Sequence, residues 1–112
     1  MTEEEQNSCF ESFMEQLSRT PAVTEYFIAQ CVARYQAGID EFVDEEGSPL
    51  YLTRDNCAEG LEEAADGANY AIMESLKRFE EGKDEKRDLA LKAAHLFAQA
   101  HFTLLQLQGA DG

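Results

Sequence analysis

The sequence predicts an all-α protein: four helices in a single domain over residues 1–112, a central antiparallel helix hairpin, and a bundle completed by oligomerisation. Three observations carry this expectation. Apolar residues recur at three- and four-residue steps in four separate stretches, the period of an amphipathic helix. No stretch shows the strict apolar–polar alternation of a half-buried strand. The two prolines, Pro21 and Pro49, fall between the periodic stretches rather than inside them, where their missing N–H does no harm.

Helix one is set by Thr2 followed by Glu5, which fits a capping box, and the acids Glu3, Glu4 and Glu5 suit the positive end of a helix dipole. Phe10, Phe13, Met14 and Leu17 give it a narrow apolar stripe, and it is expected to end near Ser18 to Thr20. Thr20 and Pro21 read as the cap and first residue of helix two, which would follow at once. Its apolar face comprises Ile28, Cys31, Val32, Tyr35, Ile39, Phe42 and Val43, running to Glu46 with Gly47 as a stop. The segment GSPLYLTRDN then reads as the loop of the central hairpin, with Thr53 or Asp55 capping helix three. In that loop Leu50, Tyr51 and Leu52 pack over the helix ends, against a partner subunit, or as a lining for a base.

Helix three is expected from about Arg54 to Phe79. On it Leu61, Ala64, Ala65, Ala68, Ile72 and Phe79 share one face, and Glu59, Glu62, Asp66 and Asn69 form a stripe beside it, with Glu63 at the margin. Gly60 and Gly67 each cost such a helix about 1 kcal/mol relative to alanine, so a close helix contact or a ligand approach is expected there. EEGKDEKRD reads as a charged turn, Gly82 as a stop and Asp84 as a new cap. Helix four takes Leu89, Ala93, Leu96, Ala100, Leu104 and Leu107 as its main stripe, with Leu91, Phe97, Phe102 and Leu105 widening it beyond what one partner helix covers. That excess points to a subunit interface. The tail QGADG reads as frayed.

A chain of 112 residues supports one domain with a modest core. Its net charge of −14 and pI near 4.3 argue against direct nucleic-acid binding and against anionic membrane surfaces. MTEEEQNS lacks the basic start and apolar run of a signal peptide, and no segment approaches the roughly 20 apolar residues of a membrane span, so a cytoplasmic location is expected. Cys9, Cys31 and Cys57 lack paired metal spacing and read as buried reduced thiols. His95 and His101 do not face one another on a helix and form no metal pair.

The charge pattern singles out two places. Charges elsewhere are spaced for ordinary pairing, as Glu74 with Arg78, Lys77 with Glu81 and Asp88 with Lys92. On helix three, in contrast, Glu59 meets Glu63 and Glu62 meets Asp66 one turn apart, like-charge pairs that destabilise a bare helix. At the end of helix two, Asp40, Glu41, Asp44, Glu45 and Glu46 crowd turns where the dipole disfavours anions. A central hairpin would bring the two acidic groups together as a site for a hard divalent cation, which takes oxygen ligands and keeps positions open for water and phosphates. Bound to a phosphate chain, such an ion activates a water for attack on phosphorus, while a spare carboxylate serves as general base. Asn69, one turn past Asp66, is placed to hold a phosphate or sugar oxygen, and Tyr70 borders the site.

At these residues the chain resembles the all-α nucleotide pyrophosphohydrolases of the MazG family, in particular small phage-type members. The family pattern is ExxE, a gap, then ExxD. Glu63-Ala-Ala-Asp66 matches the second element within EEAADGANY, and Glu41-Phe-Val-Asp44 matches the first with Asp in place of its last Glu. The likeness covers roughly residues 28 to 80. It implies a MazG-like bundle and an enzyme that cleaves a nucleoside triphosphate to the monophosphate and pyrophosphate with Mg2+ or Mn2+. It further implies assembly as a homodimer or homotetramer, metal ligation by Glu41, Asp44, Glu63 and Asp66, and catalysis by Glu62 and Glu63. Substrate contacts would come from Asn69, Tyr70 and Arg54. The alternative is a non-catalytic acidic helical protein, a phage inhibitor or charge mimic, that presents carboxylates to a basic partner.

Overall fold

A computed structural model describes residues 2–39 and 54–111 of the chain. Among these residues there are four α-helices and no strand: α1 (Glu3–Ser18), α2 (Glu25–Ile39), α3 (Asn56–Glu80) and α4 (Asp84–Asp111). They fall into two compact units, Met1–Thr53 with α1 and α2, and Arg54–Gly112 with α3 and α4. The expected extension of helix two to Glu46 and the loop GSPLYLTRDN as far as Thr53, the middle of the anticipated central hairpin, lie outside the described residues.

In the first unit α1 begins as its sequence indicates. The Thr2 hydroxyl oxygen accepts from the Glu5 backbone N–H at 3.1 Å, and the hydroxyl in turn lies 3.2 Å from the Glu5 carboxylate. Helix two does not start at Pro21. Val23 N–H donates to the Thr20 carbonyl at 3.2 Å, closing a turn whose third residue, Ala22, has φ of 73°. Proline in the second position and a positive φ in the third mark a type II turn, so Pro21 shapes the turn instead of opening the helix. The cap falls to Thr24, whose hydroxyl accepts from Phe27 N–H at 3.1 Å. Alanine in the left-handed region costs about 1 kcal/mol or more. Ala22→Gly is therefore expected to raise the melting temperature with helicity unchanged, by an amount equivalent to roughly 0.5–1 kcal/mol, as measured by circular dichroism.

The two helices of this unit meet through an aromatic stack. Phe10 lies on Tyr35 with ring centroids 3.8 Å apart and planes 8° from parallel, and the Tyr35 hydroxyl donates to the Asn7 side-chain carbonyl at 3.3 Å. Ile28, Cys31, Val32 and Tyr35 are part-buried on the expected face of α2, whereas Phe13 of α1 is 65% exposed. Cys9 is exposed, which corrects the expectation that all three thiols are buried; Cys31 and Cys57 are half-buried, and all three are free.

The second unit is a long antiparallel hairpin. Asp55, one of the two expected caps, opens α3 by accepting from Ala58 N–H at 2.9 Å. Gly82, with φ of 73°, closes it: Gly82 N–H donates to the Phe79 carbonyl at 3.0 Å and Lys83 N–H to the Arg78 carbonyl at 2.9 Å. This is a Schellman motif, which a residue with a Cβ would strain. Asp84 is the first helical residue of α4 and not its cap, and α4 continues through the QGADG tail to Asp111.

The contact between α3 and α4 runs along a seam of small residues. Cys57 Sγ–H donates to the Leu104 carbonyl at 3.1 Å, Gly60 faces Leu104, Gly67 faces Phe97, and the buried Ser75 hydroxyl donates to the Arg87 carbonyl at 3.1 Å. Ala64, 7% exposed, and half-buried Ala71 fill the positions between. A Cβ built on Gly67 would stand 2.5 Å from a Phe97 ring carbon, and one on Gly60 would stand 3.0 Å from Leu104 Cδ1. The helical glycines thus permit a close helix contact. Removing side chains from one surface lets the axes approach until the Phe97 ring rests on the α3 backbone.

This seam keeps Leu104 of the expected α4 stripe, and Phe97 from beside it, and turns the other leucines of the stripe away from α3. Leu89, Leu96 and Leu107 are 67%, 57% and 53% exposed, and the positions turned to α3 are Arg87, Ala90, Ala94, Phe97, His101 and Leu104. On α3 the packed face is likewise rotated from the large apolar residues toward the glycines.

Of the expected ion pairs, Glu74–Arg78 forms at 2.7 Å. Glu81 instead pairs with Lys83 at 2.8 Å and lies 3.9 Å from Arg78, while Asp88 pairs with Arg87 at 3.2 Å. The Lys83 hydrogen bond, reinforced by the charges of Lys83, Arg78 and Lys77, holds the Glu81 carboxyl below its ordinary pKa.

Candidate functional site

The candidate residues on α3 are positioned by the glycine seam. With Cys57, Gly60, Ala64, Gly67 and Ala71 turned to α4 and about 100° of rotation per residue, Glu62, Asp66 and Asn69 fall on the side of α3 away from α4, with Glu59 close by. Glu63 and Tyr70 occupy the flank. All six side chains are exposed, Tyr70 at 71%. The structure therefore presents an acidic ridge on one helix, and it leaves every carboxylate of that ridge open to solvent.

None of Glu59, Glu62, Glu63 and Asp66 makes an ion pair among the described residues. Their ordering along the helix puts Glu59 and Glu63 one turn apart, and Glu62 and Asp66 likewise, with about 5–6 Å between Cβ atoms in each couple. Two carboxylates at that separation reach a single ion from one side. They cannot complete its oxygen shell, which takes six or more donors. Consistent with this, no group of three or more His, Cys, Asp or Glu side chains among the described residues is gathered closely enough to hold a metal.

The remaining candidates stand elsewhere. Glu41 and Asp44 lie outside the described residues. Arg54 is exposed just ahead of the Asp55 cap, at the N-terminal end of α3 and two turns before Glu62. His95 is exposed on α4 and His101 sits half-buried in the seam.

One residue of this face was misjudged from sequence. Lys77, expected to pair with Glu81, makes no ion pair among the described residues. Eleven residues after Asp66, it returns to nearly the same angular position, which places a cation on the outward ridge three turns beyond the acids. The eleven-residue spacing from Asp66 carries this placement, alongside the four-residue spacing to Glu81.

Chemically, the ridge offers hard oxygen donors at one-turn spacing, an amide at Asn69, a phenol at Tyr70 and basic groups toward either end of the helix. No helix among the described residues is long and apolar enough to cross a membrane. No family model, curated protein or solved structure matches the chain.

Proposed function

We propose that the chain is a magnesium-dependent nucleoside triphosphate pyrophosphohydrolase, converting a (d)NTP and water to the (d)NMP and pyrophosphate in the cytoplasm. One observation supports this reading: the acids of the element that resembles the MazG pattern, Glu62, Glu63 and Asp66, stand on α3 exposed and without ion-pair partners among the described residues. Like charges one turn apart cost a helix a few tenths of a kcal/mol per pair, and a bound cation turns that cost into an attraction.

In this reading Glu63 and Asp66 would hold the ion from the α3 side, with water and the substrate's phosphate oxygens among its other ligands. When bound, magnesium, or manganese in its place, would supply charge neutralisation of the phosphate chain and polarisation of its oxygens. Glu62, and Glu63 where it is free of the ion, accept the proton of the attacking water, which forms a bond to the α-phosphorus as the α–β anhydride bond breaks and pyrophosphate departs. Asn69, Tyr70 and Arg54 hold the substrate's sugar, base and phosphates.

A second reading has its own support: the net charge of −14 and the exposure of every carboxylate on the ridge equally suit a protein that presents negative charge to a basic partner. Thermal melting across a magnesium series, paired with pyrophosphate release from a panel of nucleoside triphosphates, separates the two. The hydrolase shows saturable stabilisation, about 2.7 kcal/mol at a hundredfold excess over Kd, and releases pyrophosphate and monophosphate in equal amounts. A charge-presenting protein shows a gradual shift, the same for magnesium and for sodium at matched ionic strength, and releases none.

A further inference from the structure

The glycine seam leaves most of the large apolar surface of α3 uncovered by the hairpin. Leu61, Ala65, Ala68, Ile72, Leu76 and Phe79 form one continuous stripe beside the seam, of which Ile72, Leu76 and Phe79 are 43%, 60% and 59% exposed. On α4, Leu91, Phe102 and Leu105 lie on the same side of the hairpin and are 38%, 61% and 44% exposed. No acid or base of α3 interrupts the stripe, and at its far end the Arg87 guanidinium of α4 lies 5.7 Å from the Phe79 ring centroid.

We infer that this stripe is where a second copy of the chain docks, with the two α3 helices antiparallel about a two-fold axis near residue 70. The ordering of residues selects the occupant. The stripe is small in its first half, at Ala65 and Ala68, and bulky in its second, at Ile72 and Leu76. A two-fold partner must present to each residue the counterpart that residue itself presents in return. Reversed about position 70, Ala68 comes opposite Ile72 and Ala65 within one residue of Leu76, so the two central bulky side chains each find a small one, while Leu61 and Phe79 meet at the ends of the stripe.

The area agrees. Six large side chains with roughly 100 Å² each still open give on the order of 600 Å² per copy and 1,200 Å² per pair, the lower bound of stable interfaces. Charge sets the conditions. Two chains of −14 repel, and Glu62 and Glu80 border the stripe, so association strengthens as salt screens them. The proposal stands apart from the hydrolase reading above and is tested without nucleotide or metal, so hydrolysis and pairing can fail separately.

The test is sedimentation equilibrium of the full chain at several salt concentrations, with helicity followed in parallel. The wild-type chain is expected to be dimeric at micromolar concentration and to tighten with salt. Leu76→Glu raises the dissociation constant at least 100-fold with helicity retained, because residue 76 is exposed in a single copy. Ala65→Leu also weakens pairing, since it comes within one residue of Leu76 of the partner subunit, and Leu76→Ala in the same chain restores it. A monomer at 100-fold higher concentration overturns the proposal, as does a dimer indifferent to Leu76→Glu. A monomer whose melting temperature falls on Leu76→Glu shows that the chain covers its own stripe, which also overturns it. Failure of Leu76→Ala to rescue Ala65→Leu overturns the antiparallel register.

Discussion

Gly67→Ala is expected to lower the unfolding free energy by roughly 1–3 kcal/mol, the usual cost of forcing an extra carbon into a packed contact. The sign is the informative part, because alanine is the better helix former by about 1 kcal/mol and would stabilise α3 if nothing stood in its way. What stands in its way is the Phe97 ring, with three carbons within 2.7 Å of the new methyl. An aromatic ring turns but does not shorten, so α4 must move off the seam and lose the Leu104 and Ser75 contacts on either side.

Gly60→Ala is the internal control. Its methyl would meet Leu104 Cδ1 at 3.0 Å, the far end of a side chain that can change rotamer, so the helix-propensity gain survives and stability stays level or rises. Phe97→Leu in the Gly67→Ala background returns most of the loss by removing the ring. Urea denaturation of the four chains checks the set. Equal effects at both glycines would show that α4 does not rest on Gly67.

Glu63→Gln and Asp66→Asn are expected to abolish the saturable magnesium stabilisation and to lower kcat/KM for pyrophosphate release by about 10²–10⁴-fold, the range for losing a catalytic proton acceptor or the charge that holds the ion. Without magnesium the same substitutions act in the opposite direction. Each removes one like-charge couple, Glu59 with Glu63 or Glu62 with Asp66, and should stabilise the metal-free helix by about 0.2–0.5 kcal/mol.

That reversal separates a ligand from a structural residue. A carboxylate that held the fold together would lower stability in both conditions when neutralised. Glu80→Gln, on the same helix near the turn, controls for net charge: it changes the charge by the same amount and should leave the magnesium response in place. Thermal melts with and without magnesium, beside steady-state pyrophosphate assays, measure all of this.

Much of the local structure was legible in the residues. Thr2, Asp55 and Gly82 act at the helix ends where their side-chain oxygens or lack of a Cβ direct them, and Glu74 finds Arg78 one turn away. The acidic ridge was equally legible, since 3.6 residues per turn fixes which side chains share a face. The start of α2 was not. Thr20-Pro21 and Thr24 both offer a hydroxyl before a helix, and the choice depended on whether Ala22 would accept a positive φ, a cost local rules assign to glycine. For the candidate site, sequence ordered the α3 donors around the helix. What stands opposite those donors is a matter of tertiary arrangement, which periodicity cannot place.

By itself the sequence determined four helices, most of their ends, and a ridge of carboxylates on the third with unneutralised charge. Only the tertiary structure decided which face of each helix the hairpin uses. Hydrophobicity records how much surface must leave water, and by that measure the leucines of α3 and α4 should have faced one another. How close two helices approach depends on the shapes of both surfaces at once. The grooves at Gly60 and Gly67 accept Leu104 and Phe97 more closely than a leucine stripe could, which left the larger apolar residues turned outward, available to another surface.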